Sequence, residues 1–301
     1  MSSHPRTYMK FRSSIIGIVF NWAIIQNFFS EKKKTAFNLI CVFRAINNIY
    51  VLLVVMLGAY IPESLLGYSF YPPLMESILI TTGVNMLVFN EFQSIFTAIN
   101  RLFSILFPIK YYVFFGIKPT LIFHILYYLD RIRNLTMENI DRYRENNFMT
   151  FSPQYLAYGG SIVAPDGIFI WALGLLIFPF LINLVTFIRF YYLKKNTSQQ
   201  SEHWKKAKQN MVLFIQTVFQ DSLFSMNVFF TIKLNTLINH RFWTFFAQTL
   251  AWQLIHVFDG FIMLVFNENI SFFKKSQVSP VLTIRKAPEN VTSTVAVARP
   301  L

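Results

Sequence analysis

Long apolar runs, broken by short polar clusters, dominate the pattern along this chain. A membrane-spanning helix needs about 20 mostly apolar residues at about 1.5 Å of rise each. Seven stretches meet or approach that length. The first, 13–29, is closed by Lys32, Lys33 and Lys34, and the second, 37–60, ends at Ile61-Pro62. The third, 74–107, opens after Pro72-Pro73 and is long enough to run past a bilayer. The fourth, 111–129, is interrupted by Lys118 and Pro119, and the fifth, 166–193, contains Pro179. The sixth and seventh are 209–232 and 242–266. None shows the two-residue alternation of a barrel strand, and lipid offers no partner to open backbone groups, so helices are expected throughout. The pattern predicts an all-α fold, a seven-transmembrane helix bundle over residues 13–273. A segment 1–12 precedes it and a polar tail 274–301 follows.

Composition narrows the function classes. The chain is 54% hydrophobic and 14% charged over 301 residues, against about 25% charged in soluble domains. That excludes a soluble enzyme, a disordered chain and a disulfide-rich secreted module. Cys41 is the single cysteine, so no intrachain disulfide can form. The five histidines form no close cluster with cysteines and carboxylates, and no Gly-rich phosphate loop is present. No metal, no cofactor and no enzymatic activity are expected. The net charge of +13 raises the question of nucleic acid. The basic residues instead sit between the apolar runs, where membrane topology demands them, and no nucleic-acid partner is expected.

Orientation follows from where Lys and Arg fall. With the amino end outside, most of the 27 lie on the cytoplasmic side: the Lys32 cluster; Arg101, Lys110 and Lys118; Lys194, Lys195, Lys205, Lys206 and Lys208; and the tail. Omitting the fourth span removes the bias, so seven spans are expected although the fourth is interrupted. Arg44 and Arg189 lie inside spans and are expected to snorkel to the cytoplasmic surface. The first span resembles a signal peptide but lacks a small-residue cleavage site, so it is expected to stay. The segment after the fourth span holds four arginines and the sequon Asn134-Leu135-Thr136, a glycosylation candidate if that segment is an outer loop. Asn269 to Lys275 reads as a short interfacial helix.

Ionisable residues inside spans cost about 2.5–3.5 kcal/mol each on insertion scales and therefore face the bundle interior. Asn21, Asn48, Glu91, Asp221, His256 and Asp259 form the expected polar core. Glu91 lies about 15 Å from Arg101 along one helix. Hydrogen bonding between helices is the plainer use of such residues; a bundle that switches between two packings also needs polar contacts to exchange.

Several features then coincide in order. Asn100-Arg101-Leu102 ends the third span and Pro108 follows, the spacing of the Asp-Arg-Tyr motif in rhodopsin-like G-protein-coupled receptors. Asn21, Asn38, Asn48, Pro179 and Asp259-Gly260-Phe261-Ile262-Met263 take up further positions of that pattern. The chain resembles most closely the nematode serpentine chemoreceptors of class X. Phe43-Arg44-Ala45-Ile46-Asn47-Asn48, Asn90-Glu91-Phe92-Gln93, Gln216-Thr217-Val218-Phe219-Gln220-Asp221-Ser222 and the Asp259 to Asn267 stretch carry that resemblance. It implies a rhodopsin-like chemosensory receptor in the plasma membrane of sensory cilia that binds an external small molecule and signals to a heterotrimeric G protein. It also implies that Asn100 and Arg101 form the G-protein coupling switch. Thr81, Asn85, Trp171, Asn227, Gln248 and Trp252 are ligand-pocket candidates by depth and side-chain type. Glu76 stands where such receptors carry the cysteine tied to the second outer loop, so that staple is expected to be missing. The alternative is a polytopic membrane transporter or channel, which solute flux into vesicles would distinguish.

Overall fold

The computed structural model describes residues 4–31, 34–107, 110–159, 166–196, 202–238 and 240–266. Among them are seven long helices. These are α1 (His4–Ser30), α2 (Ala36–Leu66), α3 (Pro73–Leu106), α4 (Ile117–Arg144), α5 (Asp166–Asn196), α6 (Glu202–Ile232) and α7 (Arg241–Phe266). One short helical turn, Tyr111–Phe115, precedes α4. A hairpin of β1 (Thr150–Ser152) and β2 (Ala157–Gly159) follows it, paired antiparallel with Phe151 opposite Tyr158. The fold is an all-α seven-transmembrane bundle. The expected interfacial helix near Phe272 and the cytoplasmic tail lie outside the described residues.

Local chemistry sets the helix ends. Thr35 caps α2 by accepting the Asn38 backbone N–H at 3.1 Å, a side-chain oxygen meeting one of the orphan amides of a first turn. Pro62 interrupts neither backbone nor direction, because Ile61–Leu66 continues α2 until Gly67, whose φ of 78° ends it in the left-handed conformation open to glycine. Two segments widen to π-helical turns, Val51–Tyr60 in α2 and Phe245–Leu250 in α7.

The fourth helix departs from the pattern-based expectation. It starts at Ile117, after extended Gly116, and puts Pro119 in its first turn, where a missing N–H costs nothing. It then continues to Arg144 instead of ending near Leu129. The expected outer loop is thus helical, supported by Arg133–Asp130, Arg142–Glu138 and Arg144–Asp141 pairs at one-turn spacing. Asn134 lies within that helix and donates to Asp130 Oδ2 at 3.1 Å. The loop on which its reading as a glycosylation candidate rested is a helix.

The bundle is inside-out relative to a soluble protein. The buried face of α3 carries Glu76, Ser77, Thr81, Asn85, Asn90, Glu91, Gln93, Ser94, Asn100 and Arg101, while Leu74, Met75 and Ile78 are exposed. In α5, Asn183 and Thr186 are buried while Phe178, Phe180, Leu181 and Phe187 face outward. Lipid explains both, since a hydrocarbon solvent rewards apolar exteriors and forces polar groups to find partners within. By length and composition α1, α2, α5 and α7 could each cross a membrane; α3, α4 and α6 carry more of the polar groups that join the helices. The protein is an integral membrane protein.

Neighbour relations place α1 against α2 and α7, α3 against α2, α5 and α6, and α6 against α5 and α7; α4 lies on α2 and α3. Gly17 permits the tight α1 approach, because a Cβ there would come within 2.7 Å of Leu52 and 2.8 Å of Val257. An aromatic seam fastens α4 to α3, with Phe89 stacked on Tyr128 and Phe96 on Phe123.

Candidate functional site

Asp259, on α7, is the hub of the buried polar core. Its carboxylate accepts from Arg44 Nε at 2.8 and 2.9 Å, from Asn48 Nδ2 at 2.7 Å and from Gln220 Nε2 at 2.7 Å. Asn48 also donates to Asn21 Oδ1 at 3.0 Å and accepts from Asn90 Nδ2 at 2.9 Å. His256 Nδ1 lies 2.7 Å from the same Asn48 oxygen. Asn21 donates in turn to the Gly17 and His256 carbonyls, and Gly260 leaves the space its amide occupies. Asn47 and Tyr128 carry the chain of bonds across to α4, at 2.8 Å to Asn90 and 2.6 Å to Asn47. One network thus joins α1, α2, α3, α4, α6 and α7.

Arg44 corrects the sequence reading. It does not snorkel; it is 6% exposed and paired with Asp259. Its other nitrogen donates to the Asn90 carbonyl at 3.1 Å and to Ser94 Oγ at 2.8 Å. The signal was present in the spacing, since Arg44 precedes Asn48 by one helical turn and shares its face. Arg189, by contrast, is exposed on α5.

Of the six expected polar-core residues, the structure brings Asn21, Asn48, His256 and Asp259 together. Asp221 accepts instead from Asn183 at 3.2 Å, bridging α5 and α6. Glu91 is buried, with one carboxylate oxygen lacking any hydrogen-bond partner. At the end of α3, Asn100 and Arg101 are 4% and 3% exposed. Among the described residues, none of the three Arg101 guanidinium nitrogens has a hydrogen-bond partner, nor does Asn100 Nδ2. The guanidinium faces the Phe37 ring at 5.3 Å.

The pocket candidates disperse. Thr81 donates to the Ser77 carbonyl at 2.7 Å and reaches Asn139 of α4 at 3.3 Å. Asn85 accepts from Arg131 of α4. Both therefore belong to the α3–α4 seam, a placement that follows from the extra length of α4. Trp252 lies across the bundle against Gly83, where a Cβ would sit 3.2 Å from its ring, and its Nε1 has no partner. Asn227 is buried on α6 with Oδ1 unpartnered. Gln248 sits half-buried in the π-helical part of α7. The Trp171 side chain lies outside the described residues.

The hairpin fills the end of the bundle opposite Arg101. Phe151 and Leu156 are buried in one cluster with Tyr60, Phe245 and Leu250. The missing cysteine staple has a non-covalent counterpart: the Phe151 N–H donates to Glu76 Oε1, and the Met149 N–H to Ser77 Oγ at 3.2 Å. Tyr60 Oη and Thr249 Oγ1 both donate to the Leu156 carbonyl, at 2.8 and 3.1 Å. Burial, then the Glu63 and Glu76 carboxylates, pushes the Tyr158 phenol well above its usual range.

Beneath the hairpin lies a basic residue of α1. Lys10 is 0% exposed, and its ammonium has no hydrogen-bond partner among the described residues. It sits 3.5 Å above the Tyr60 ring centroid and 4.9 Å from that of Phe245. Two aromatic faces supply about 2 kcal/mol to a desolvated cation, whereas burying an ammonium costs several kcal/mol. Among the described residues no carboxylate pairs with it.

No curated protein matches the chain closely enough to count as a relative. The family model described as serpentine type 7TM GPCR chemoreceptor Srx matches residues 11–267. With that match across the whole bundle described above, the chain belongs to the Srx family of seven-transmembrane chemoreceptors.

Proposed function

We propose that this chemoreceptor binds an external small molecule at the hairpin end and signals to a heterotrimeric G protein at the Arg101 end. In this reading the amino end and hairpin face outside, and the Lys205, Lys206 and Lys208 segment faces the cytosol of a sensory cell, in its ciliary plasma membrane. The observation that carries the reading is Arg101, a buried guanidinium with no hydrogen-bond partner among the described residues. A partner helix inserted between α3 and α6 offers backbone carbonyls or a carboxylate to that group, and Asn100, being neutral, does not compete for it. Ligand shifts the balance only by preferring one of two bundle arrangements. The Asp259 network gives the bundle a set of contacts that can exchange between them, because it spans six helices through side-chain hydrogen bonds.

The test compares ligand-dependent G-protein activation in wild type and Arg101→Ala at equal surface expression, with an amino-terminal tag stained on intact cells. Loss of activation with surface staining retained is the expected result. Unchanged activation removes Arg101 from the mechanism, and a tag stained only after permeabilisation reverses the orientation.

A further inference from the structure

Among the described residues, the hairpin end holds a cation with no paired anion and a plug under strain. The Lys10 ammonium lies against the faces of Tyr60 and Phe245, both drawn from π-helical segments, with no hydrogen-bond partner among those residues. Irregular turns of this kind place rings where a regular helix would not. The hairpin meets this cluster through Phe151, whose ring stands edge-on to Tyr60 at 5.7 Å, and through Leu156, which is 5% exposed. Its φ of 52° lies in the left-handed region, a strained conformation for a branched side chain, and such residues persist only when their surroundings hold them. Tyr60 and Thr249 do the holding, through its carbonyl.

These observations share one chemistry. A buried cation calls for an anion; a buried leucine held by two hydrogen bonds marks an apolar volume that another apolar group can fill. We infer that the cage of Lys10, Tyr60 and Phe245 is a binding site for a small amphiphilic organic acid. Its carboxylate pairs with the Lys10 ammonium, and its hydrocarbon part takes the place of the Leu156 side chain. The inference rests on the receptor reading above, which puts this end outside, and adds the class of ligand. Binding lifts the hairpin tip from Tyr60 of α2 and Thr249 of α7. It thereby removes a bridge between the two helices that also meet at Asn48 and Asp259.

The test uses the full-length receptor in nanodiscs. The probes are straight-chain carboxylates from hexanoate to hexadecanoate, each beside its methyl ester, and the readouts are thermal midpoint and equilibrium binding. At least one carboxylate is expected to raise the midpoint of wild type while its ester does not. Lys10→Met should lower the affinity for that carboxylate about thirtyfold, the loss expected for one charge-assisted contact, and Lys10→Arg should retain most of it. Leu156→Ala, by removing the plug, should tighten carboxylate binding. Equal behaviour of acids and esters, no stabilisation by any acid of the series, or full affinity in Lys10→Met overturns the assignment. If Lys10→Met does not fold, Leu156→Ala decides: equal gains for acid and ester also overturn it. Signalling to an uncharged ligand with Lys10→Met unimpaired sinks the acid site and leaves the receptor reading standing. Acid binding without any G-protein response does the reverse.

Discussion

Arg44 and Arg101 are both arginines on the inward faces of helices, both less than a tenth exposed, yet their surroundings are opposite. Arg44 meets a carboxylate, a carbonyl and a hydroxyl. Among the described residues, Arg101 meets one aromatic ring and no hydrogen-bond acceptor. A satisfied buried charge fixes one arrangement of helices, while an unsatisfied one raises the energy of the arrangement that strands it. The difference therefore separates a group whose bonds join helices within the bundle from one that the described residues leave without a hydrogen-bond acceptor. Lys10, at the far end, falls in the second class.

The largest effect expected from that contrast is at Asp259. Asp259→Ala leaves the Arg44 guanidinium buried without its counter-charge, and Asn48 and Gln220 lose their shared acceptor. Breaking one side of a buried pair costs about 3–5 kcal/mol. The expected outcome is a receptor that fails to accumulate as a monodisperse species in fluorescence-detected size exclusion. The double change Arg44→Met with Asp259→Leu should restore accumulation, because it removes the stranded charge along with the pair. If the single variant alone behaves as wild type, the network is not what holds these helices.

The sharpest contrast follows at Arg101. Arg101→Met removes a charge that the resting bundle does not satisfy, so the thermal midpoint of the unliganded receptor should rise, by a gain of about 1–3 kcal/mol. The same chemical change at Arg44 alone should lower it. A midpoint that falls in both variants would erase the distinction between the two arginines.

How far these features were legible follows from the same residues. Polar groups in apolar stretches must turn inward, and that rule alone gathers Asn21, Asn48, His256 and Asp259 from distant parts of the chain. It also selects Glu91 and Asp221, yet it cannot say which acid a buried arginine will meet, since depth along a helix leaves rotation and neighbours open. Arg44 was misplaced because its position near a helix end fits snorkelling equally well; only its one-turn spacing from Asn48 argued otherwise. The fourth helix was cut short because Lys118, Pro119 and four later arginines weaken its hydropathy. Its stability comes instead from paired charges along its surface and from rings against α3, which a hydropathy pattern does not register. With the longer α4, Thr81 and Asn85 meet Asn139 and Arg131 of that helix. The hairpin strands have three residues each, too few for alternation to show.

The smallest effect tests whether hydrogen bonds do the work of the missing disulfide. Glu76 and Ser77 hold the backbone of β1 and of the residue before it through the Phe151 and Met149 amides. A disulfide acts partly by restricting the unfolded chain; a hydrogen bond acts only on the folded one, and it can break and re-form. Ser77→Ala should cost about 1 kcal/mol of hairpin protection and Glu76→Ala somewhat more, since a carboxylate acceptor binds an amide more strongly than a hydroxyl does. The loss from Glu76→Ala is tempered because the Glu63 carboxylate nearby is relieved of a like charge. The measurement is amide hydrogen exchange at Met149 and Phe151 in the unliganded receptor. Faster exchange confined to 148–159, with α3 unchanged, places the staple in these two side chains. Exchange that stays slow in the double variant would mean that the Tyr60 and Thr249 bonds to Leu156 seat the hairpin by themselves.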